Sequence, residues 1–124
     1  MSPELRLKHI INQTITEVFG ANKDSLAVKF TLENGKKMSI YHCQNCCETV
    51  IVHSIKGDIN DIIGVPILKA FEEHEEPENN NWEYQPESHT WSNFTFTTEK
   101  GEVVIQWLGT SNGYYSETVD VYFE

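Results

Sequence analysis

Asn34-Gly35 falls between two short runs that alternate apolar with polar residues, Leu26 to Leu32 and Lys37 to Tyr41, and no other feature constrains the fold as much. An Asn-Gly pair tolerates positive φ at both centres of a tight turn, so the two runs are expected to form a hairpin. The same reading extends from Ile15 to the end of the chain. Short runs of β-branched and aromatic residues recur between turn residues, which is the pattern of a meandering antiparallel sheet. Thr14 to Phe19, Glu48 to Ser54, Pro66 to Phe71, Thr90 to Thr98, Val103 to Leu108 and Glu117 to Tyr122 are the other expected strands. Glu99-Lys100-Gly101-Glu102 should make the penultimate hairpin turn and Thr110-Ser111-Asn112-Gly113 the last. Lys56 to Gly64 reads as a helix of one or two turns, with Asp58 as its cap, Asp61 adding favourable charge to the first turn and Gly64 ending it. Leu5 to Asn12 fits one or two helical turns and an extended lead-in equally well. The expected fold is mainly β: a compact antiparallel sheet or barrel-like single domain over residues 1–124, with one or two short helices.

Composition bounds what such a domain can do. An apolar fraction of 39%, with three Trp, five Tyr and six Phe spread along 124 residues, is enough for one packed core. No stretch approaches the roughly 20 apolar residues of a membrane span, and Met-Ser-Pro-Glu lacks the basic then apolar order of a signal peptide. Cys43, Cys46 and Cys47 are an odd, clustered set that cannot staple a secreted fold, so reduced thiols and a cytoplasmic location are expected. Nine basic residues against nineteen acidic ones give a net charge of −10, which opposes binding to DNA, RNA or an anionic membrane. Seven of those acids lie between Phe71 and Glu87 with no Lys or Arg among them. With Pro77, Pro86 and Asn79-Asn80-Asn81, this segment reads as a solvated acidic loop at about 72–88, from which Trp82 and Tyr84 must dock on the body or await a partner.

Three groups of residues bear on chemistry. Tyr41-His42-Cys43-Gln44-Asn45-Cys46-Cys47-Glu48 offers His42, Cys43, Cys46 and Cys47 as an alternative zinc set, since a Cys-x-x-Cys pair is a usual half-site. The other half is missing, because His9, His53, His74 and His89 stand at irregular distances and no second Cys pair exists. The favoured reading makes Cys46 and Cys47 small buried residues and His42 a hydrogen-bonded one, with no metal and no cofactor. The second group is the run from Val103 to Glu117, where a Gly- and Asn-bearing turn beside Trp107, Tyr114 and Tyr115 suits a phosphate and a planar ring, or is only a hairpin with cross-strand aromatic packing. The third, Glu72, Glu73, Glu75, Glu76 and Glu78, lacks the alternating ligand order of a calcium loop. Gly-x-Ser-x-Gly, Walker, Gly-x-Gly-x-x-Gly and His-Glu-x-x-His motifs are all missing, so binding without catalysis is expected.

Three segments carry a resemblance: Tyr41-His42-x-Gln44-x-Cys46-Cys47-Glu48; Lys56-Gly57-Asp58-Ile59-x-Asp61-Ile62-Ile63-Gly64-x-Pro66-Ile67-Leu68-x-Ala70; and Trp107-x-Gly109-x-Ser111-Asn112-Gly113-Tyr114-Tyr115-Ser116-Glu117. In this order the chain resembles a family of small phage and prophage proteins that includes the Thoeris anti-defence sponges. The resemblance implies a compact antiparallel β-domain that forms dimers or larger homo-oligomers and sequesters a cyclic ADP-ribose signal without cleaving it. The chain departs from its relatives at Cys43 and Asn45, where they carry Glu and Asp, and at Gln106, where they carry Arg. The ligand-binding set is then Asn112, Gly113, Tyr114 and Tyr115 from the third segment, together with Gln106. Trp91 and Phe94 join it because the Thr90 strand should lie beside the last hairpin, and Lys37 and Lys56 as charge partners. Two other readings stand beside this one: an acidic interaction protein that inhibits a host factor, and a small zinc-binding structural domain.

Overall fold

A computed structural model describes residues 7–44, 47–74, 88–113 and 116–124. Eight strands follow in chain order: β1 (Ile15–Phe19), β2 (Ala27–Leu32), β3 (Lys37–Tyr41), β4 (Thr49–Lys56), β5 (Lys69–Glu73), β6 (Ser88–Thr98), β7 (Gly101–Ser111) and β8 (Asp120–Phe123). They form two four-stranded antiparallel sheets in the orders β1-β2-β3-β8 and β4-β7-β6-β5. The only helical pieces among the described residues are 3₁₀ turns at Lys8–Ile10 and Ile59–Ile62. The protein is therefore mainly β and antiparallel, as the alternation implied.

The alternation also explains the core. Val28, Phe30, Leu32, Met38 and Ile40 of the first sheet and Val50, Val52, Phe94, Phe96, Val103, Ile105 and Trp107 of the second are at most 4% exposed and form one cluster. Phe30 and Phe96 meet across it with ring centroids 5.4 Å apart. Leu7, Ile10, Ile62 and Ile67 close the cluster from the connecting segments.

The hairpin at Asn34-Gly35 forms, but with a wider loop than the dipeptide suggested. Leu32 N–H bonds to Lys36 O at 2.8 Å and Gly35 N–H to Leu32 O at 2.9 Å, which leaves Glu33, Asn34 and Gly35 as a three-residue loop. Only Gly35 takes positive φ, at +85°, and Asn34 Oδ1 instead accepts from Lys36 N–H at 2.9 Å. Asp58 caps the turn at Ile59–Ile62 through Asn60 N–H, as expected. Strand β5 starts at Lys69 rather than Pro66, because Ile67 and Leu68 N–H donate to Gln13 O and Thr97 O before the ladder begins. It runs on through Glu73, and β6 opens at Ser88. Residues 75–87, and with them Trp82 and Tyr84, lie outside the described residues.

The last connection is a correction. The turn at Thr110 to Gly113 does not fold β8 back on β7. Both flanks of β7 are already taken, by β4 and β6, so the chain crosses to the opposite sheet and β8 pairs with the open edge of β3, Tyr41 facing Asp120 and Met38 facing Phe123. The crossing also trims β8, which begins at Asp120 and not at Glu117.

Candidate functional site

The crossing segment brings two of the three motif segments to one end of the molecule. At the entry to β4, Cys47 and Thr49 are exposed while Glu48 and Val50 are buried, so the alternation of the strand, carried back one step, places a carboxylate at the edge of the core. An uncompensated buried charge is costly, and here the β3–β4 loop supplies its partners. His42 Nε2 lies 2.7 Å from Glu48 Oε2, with the two side chains 5% and 0% exposed. Gln44 Nε2 donates to Glu48 O at 2.6 Å and to Glu48 Oε1 at 3.2 Å. The other ring nitrogen of His42 sits 2.6 Å from the carbonyl oxygen of Thr118, on the crossing segment. One imidazole thus ties the β3–β4 loop to the start of β4 and to the link between the sheets.

A second buried carboxylate holds the same segment from the other side. Glu117, 8% exposed, accepts at Oε1 from Thr90 Oγ1 at 2.8 Å and from Ser88 Oγ at 3.2 Å, and its backbone lies against Gly109 of β7. A Cβ at position 109 would stand 2.7 Å from Glu117 O, so only glycine allows this crossing. Beside the His42–Glu48 pair a cavity of about 320 Å³ opens, lined by Leu26, His42, Gln44, Glu48, Thr49 and Val50. Its walls combine an apolar side with a fixed polar group, and its volume is at the lower bound of small-ligand sites, about 300 Å³.

The residues expected to bind ligand divide. Asn112 and Gly113 are exposed at this end, although Gly113 N–H donates to Ser111 Oγ at 2.9 Å and so closes the turn on itself. Tyr114, Tyr115 and Cys46 lie outside the described residues. Phe94 is fully buried in the core, Trp91 is 3% exposed with its ring perpendicular to that of His53, and Gln106 is buried and accepts from Ser54 Oγ at 2.9 Å. Those three are taken up by the interior: Trp91 and Phe94 lie in the stretch of β6 that is buried on both faces, and Gln106 is buried on β7 opposite Ser54. Lys56 pairs with Val104, six β7 residues from Thr110, about 20 Å along the strand from the turn. Lys37 lies at the far end of β3 from His42.

Of the thiols, Cys47 is exposed rather than buried, since Glu48 takes the inward position beside it. Cys43 is exposed too and lies beside the Tyr122 phenol, whose ring stacks on Tyr41 at 4.6 Å. Desolvation first, then the nearby Asp120 carboxylate, hold that phenol above its ordinary pKa. Both nitrogens of His42 are engaged by oxygen acceptors, and among the described residues no three His, Cys, Asp or Glu side chains are grouped to hold a metal. The middle segment, Lys56 to Ala70, serves the opposite end: Thr98 Oγ1 bonds Asp61 O, and Lys100 Nζ donates to Ile63 O at 2.8 Å.

The carboxylates were the residues that sequence reasoning passed over. Glu48 and Glu117 both end a motif segment, and Glu48 stands in phase with Val50 and Val52, which marks it as buried and in need of a partner.

The chain belongs to the family described as Domain of unknown function (DUF7448), whose model matches residues 8–121. No curated protein and no solved structure is significantly similar to it.

Proposed function

We propose that the protein is a non-catalytic binding module that captures a cyclic ADP-ribose signal, or a related cyclic nucleotide, at the end of the molecule where His42 and Gln44 meet the crossing segment at residues 116–118, and that in this way it acts as a phage anti-defence sponge in the host cytoplasm. The observation that carries the reading is the convergence of the first and third motif segments on the crossing between the sheets, where His42, Glu48 and Glu117 are locked by short hydrogen bonds beside a cavity. A frame fixed before the ligand arrives lowers the ordering cost of binding. Stacking on an aromatic ring contributes roughly 1–3 kcal/mol per base, and hydrogen bonds to charged groups about 1.5–3 kcal/mol each, so a few of each support tight capture. The −10 net charge opposes the encounter, but at roughly 0.15 M salt it reaches only about 8 Å.

Calorimetry against a panel of cyclic ADP-ribose isomers and cyclic dinucleotides tests this, with chromatography of the heated supernatant. One member is expected to bind and to be recovered intact, and Tyr115→Ala should weaken it at least about tenfold while the circular dichroism stays native. Failure of every member at about 100 micromolar removes the reading, and breakdown products would make the protein an enzyme.

The module is also proposed to be a homo-oligomer. Among the described residues β1 and β8 are the edge strands of one sheet and β4 and β5 of the other, and Leu26, Leu68 and Phe123 are 67%, 57% and 40% exposed. Light scattering during size exclusion should give a mass of two or more chains, and a single-chain mass at tens of micromolar (about 10⁻⁵ M) overturns it.

A further inference from the structure

The stretch from Lys23 to Lys37 carries four of the nine basic residues of the chain against only Asp24 and Glu33, an excess of positive charge in a protein of net charge −10. Two of these lysines share the outer face of the first sheet. Strand pairing sets Phe19 opposite Lys29 and Lys29 opposite Ser39, and sets Glu17, Thr31 and Lys37 in the next row. Lys29 and Lys37 are diagonal neighbours on adjacent strands, about 7–8 Å apart at the backbone, so both ammonium groups can reach one anion. Phe19, directly opposite Lys29 and 58% exposed, offers its ring alongside. These side chains line a concavity of about 260 Å³ with Thr31, Ser39 and Glu124. Among the described residues neither lysine has a carboxylate within 4 Å, although Glu17 and Glu124 stand on or beside the same face.

From this arrangement we infer a second binding site, for a phosphate monoester that carries a planar ring: the phosphate between Lys29 and Lys37, with Ser39 and Thr31 hydroxyls as donors, and the ring on Phe19. It goes beyond the function proposed above, because the face is turned away from the core and lies toward the end of β3 remote from His42. Two ammonium groups with no carboxylate within 4 Å among the described residues select an anion, and an exposed phenyl ring beside them selects a flat partner over a bare ion. The strong global acidity excludes a long polyanion but leaves a small one within reach of the local charge.

The test is titration of the ¹⁵N-labelled full chain with 5′-AMP, and with inorganic phosphate and adenosine as the separate halves. AMP should shift the amides of Lys29, Thr31, Lys37 and Ser39 and leave those of residues 47–50 and 116–118 in place, which separates this site from the one at the crossing end. Phosphate and adenosine alone should each bind at least about tenfold more weakly than AMP. K29E/K37E should abolish the shifts, and F19A should bring AMP down to the strength of phosphate. K29Q/K37Q, which adds no negative charge, should also lose AMP and guards against a fold effect of the charge reversal. The inference is overturned if AMP shifts nothing at about 5 millimolar, if either double variant binds as well as the native chain, or if the shifts follow a change in oligomeric mass.

Discussion

Replacing His42 by alanine is expected to lower the unfolding free energy by about 3–5 kcal/mol, the cost of leaving a buried charge without its partner. The physical cause is local and specific. Glu48 is completely shielded at its side chain, and His42 Nε2 lies 2.7 Å from its carboxylate. Removing the imidazole takes away the contact at Glu48 Oε2, leaves Gln44 Nε2 at 3.2 Å from Oε1, and frees Thr118 O on the crossing segment as well. For a chain of this length the loss corresponds to roughly 10–20 °C in melting temperature, measurable by differential scanning calorimetry. The informative companion is the double variant His42→Ala with Glu48→Leu. It removes the stranded charge, and apolar replacement of a buried pair is often neutral or stabilising, so most of the stability should return. A single variant within about 1 kcal/mol of the native protein would mean that Glu48 is not the buried charge the geometry implies. Failure of the double variant to recover would place the cost in the lost tie to Thr118 instead.

The eight strands were legible because each is bounded by residues with few backbone options: Asn34-Gly35 after β2, Glu99-Lys100 after β6, and Gly57 with Asp58 after β4. What could not be read was which strand β8 would join. The turn residues Ser111-Asn112-Gly113 announce a reversal equally well for a hairpin and for a crossing, and the choice depends on which sheet edge is open, a property of the assembled molecule. The same limit misplaced the aromatic residues of β6. From Ser92 to Phe96 every residue is buried, so Phe94 and Trp91 carry no alternation that separates core from surface. The carboxylates were within reach. Val50 and Val52 set the phase of β4, and that phase puts Glu48 inside and Cys47 outside, whereas a reading drawn to the thiols put Cys47 inside. His42 stands six residues before that acid, across the β3–β4 loop, and this spacing is the signal that could have found the pair.

Gly109→Ala is the substitution that isolates the crossing itself, and it is expected to cost about 2–4 kcal/mol although it adds one methyl group. The added Cβ would lie 2.7 Å from Glu117 O and 2.8 Å from Glu117 Cβ, and the first of these is backbone that cannot rotate away. Relief requires the segment to lift from β7. Lifting it withdraws Glu117 from Thr90 and Ser88 and draws Thr118 O off His42, so one methyl group loosens both carboxylate networks together. Gly35 supplies the contrast. It has φ +85° and nothing within 4 Å of an added Cβ, so its requirement is conformational and asparagine, which tolerates the left-handed region, should meet it. Gly35→Asn is therefore expected to stay within about 1 kcal/mol of the native protein, while Gly109→Asn is as damaging as Gly109→Ala. Hydrogen exchange adds a spatial readout: in Gly109→Ala, protection should fall at residues 116–120 and at β8, while the β6–β7 ladder near Gly101 keeps its native rates. A Gly109→Ala protein with native melting temperature and native protection at β8 would show that the crossing segment does not rest on β7, and would remove the frame on which the proposed binding site depends.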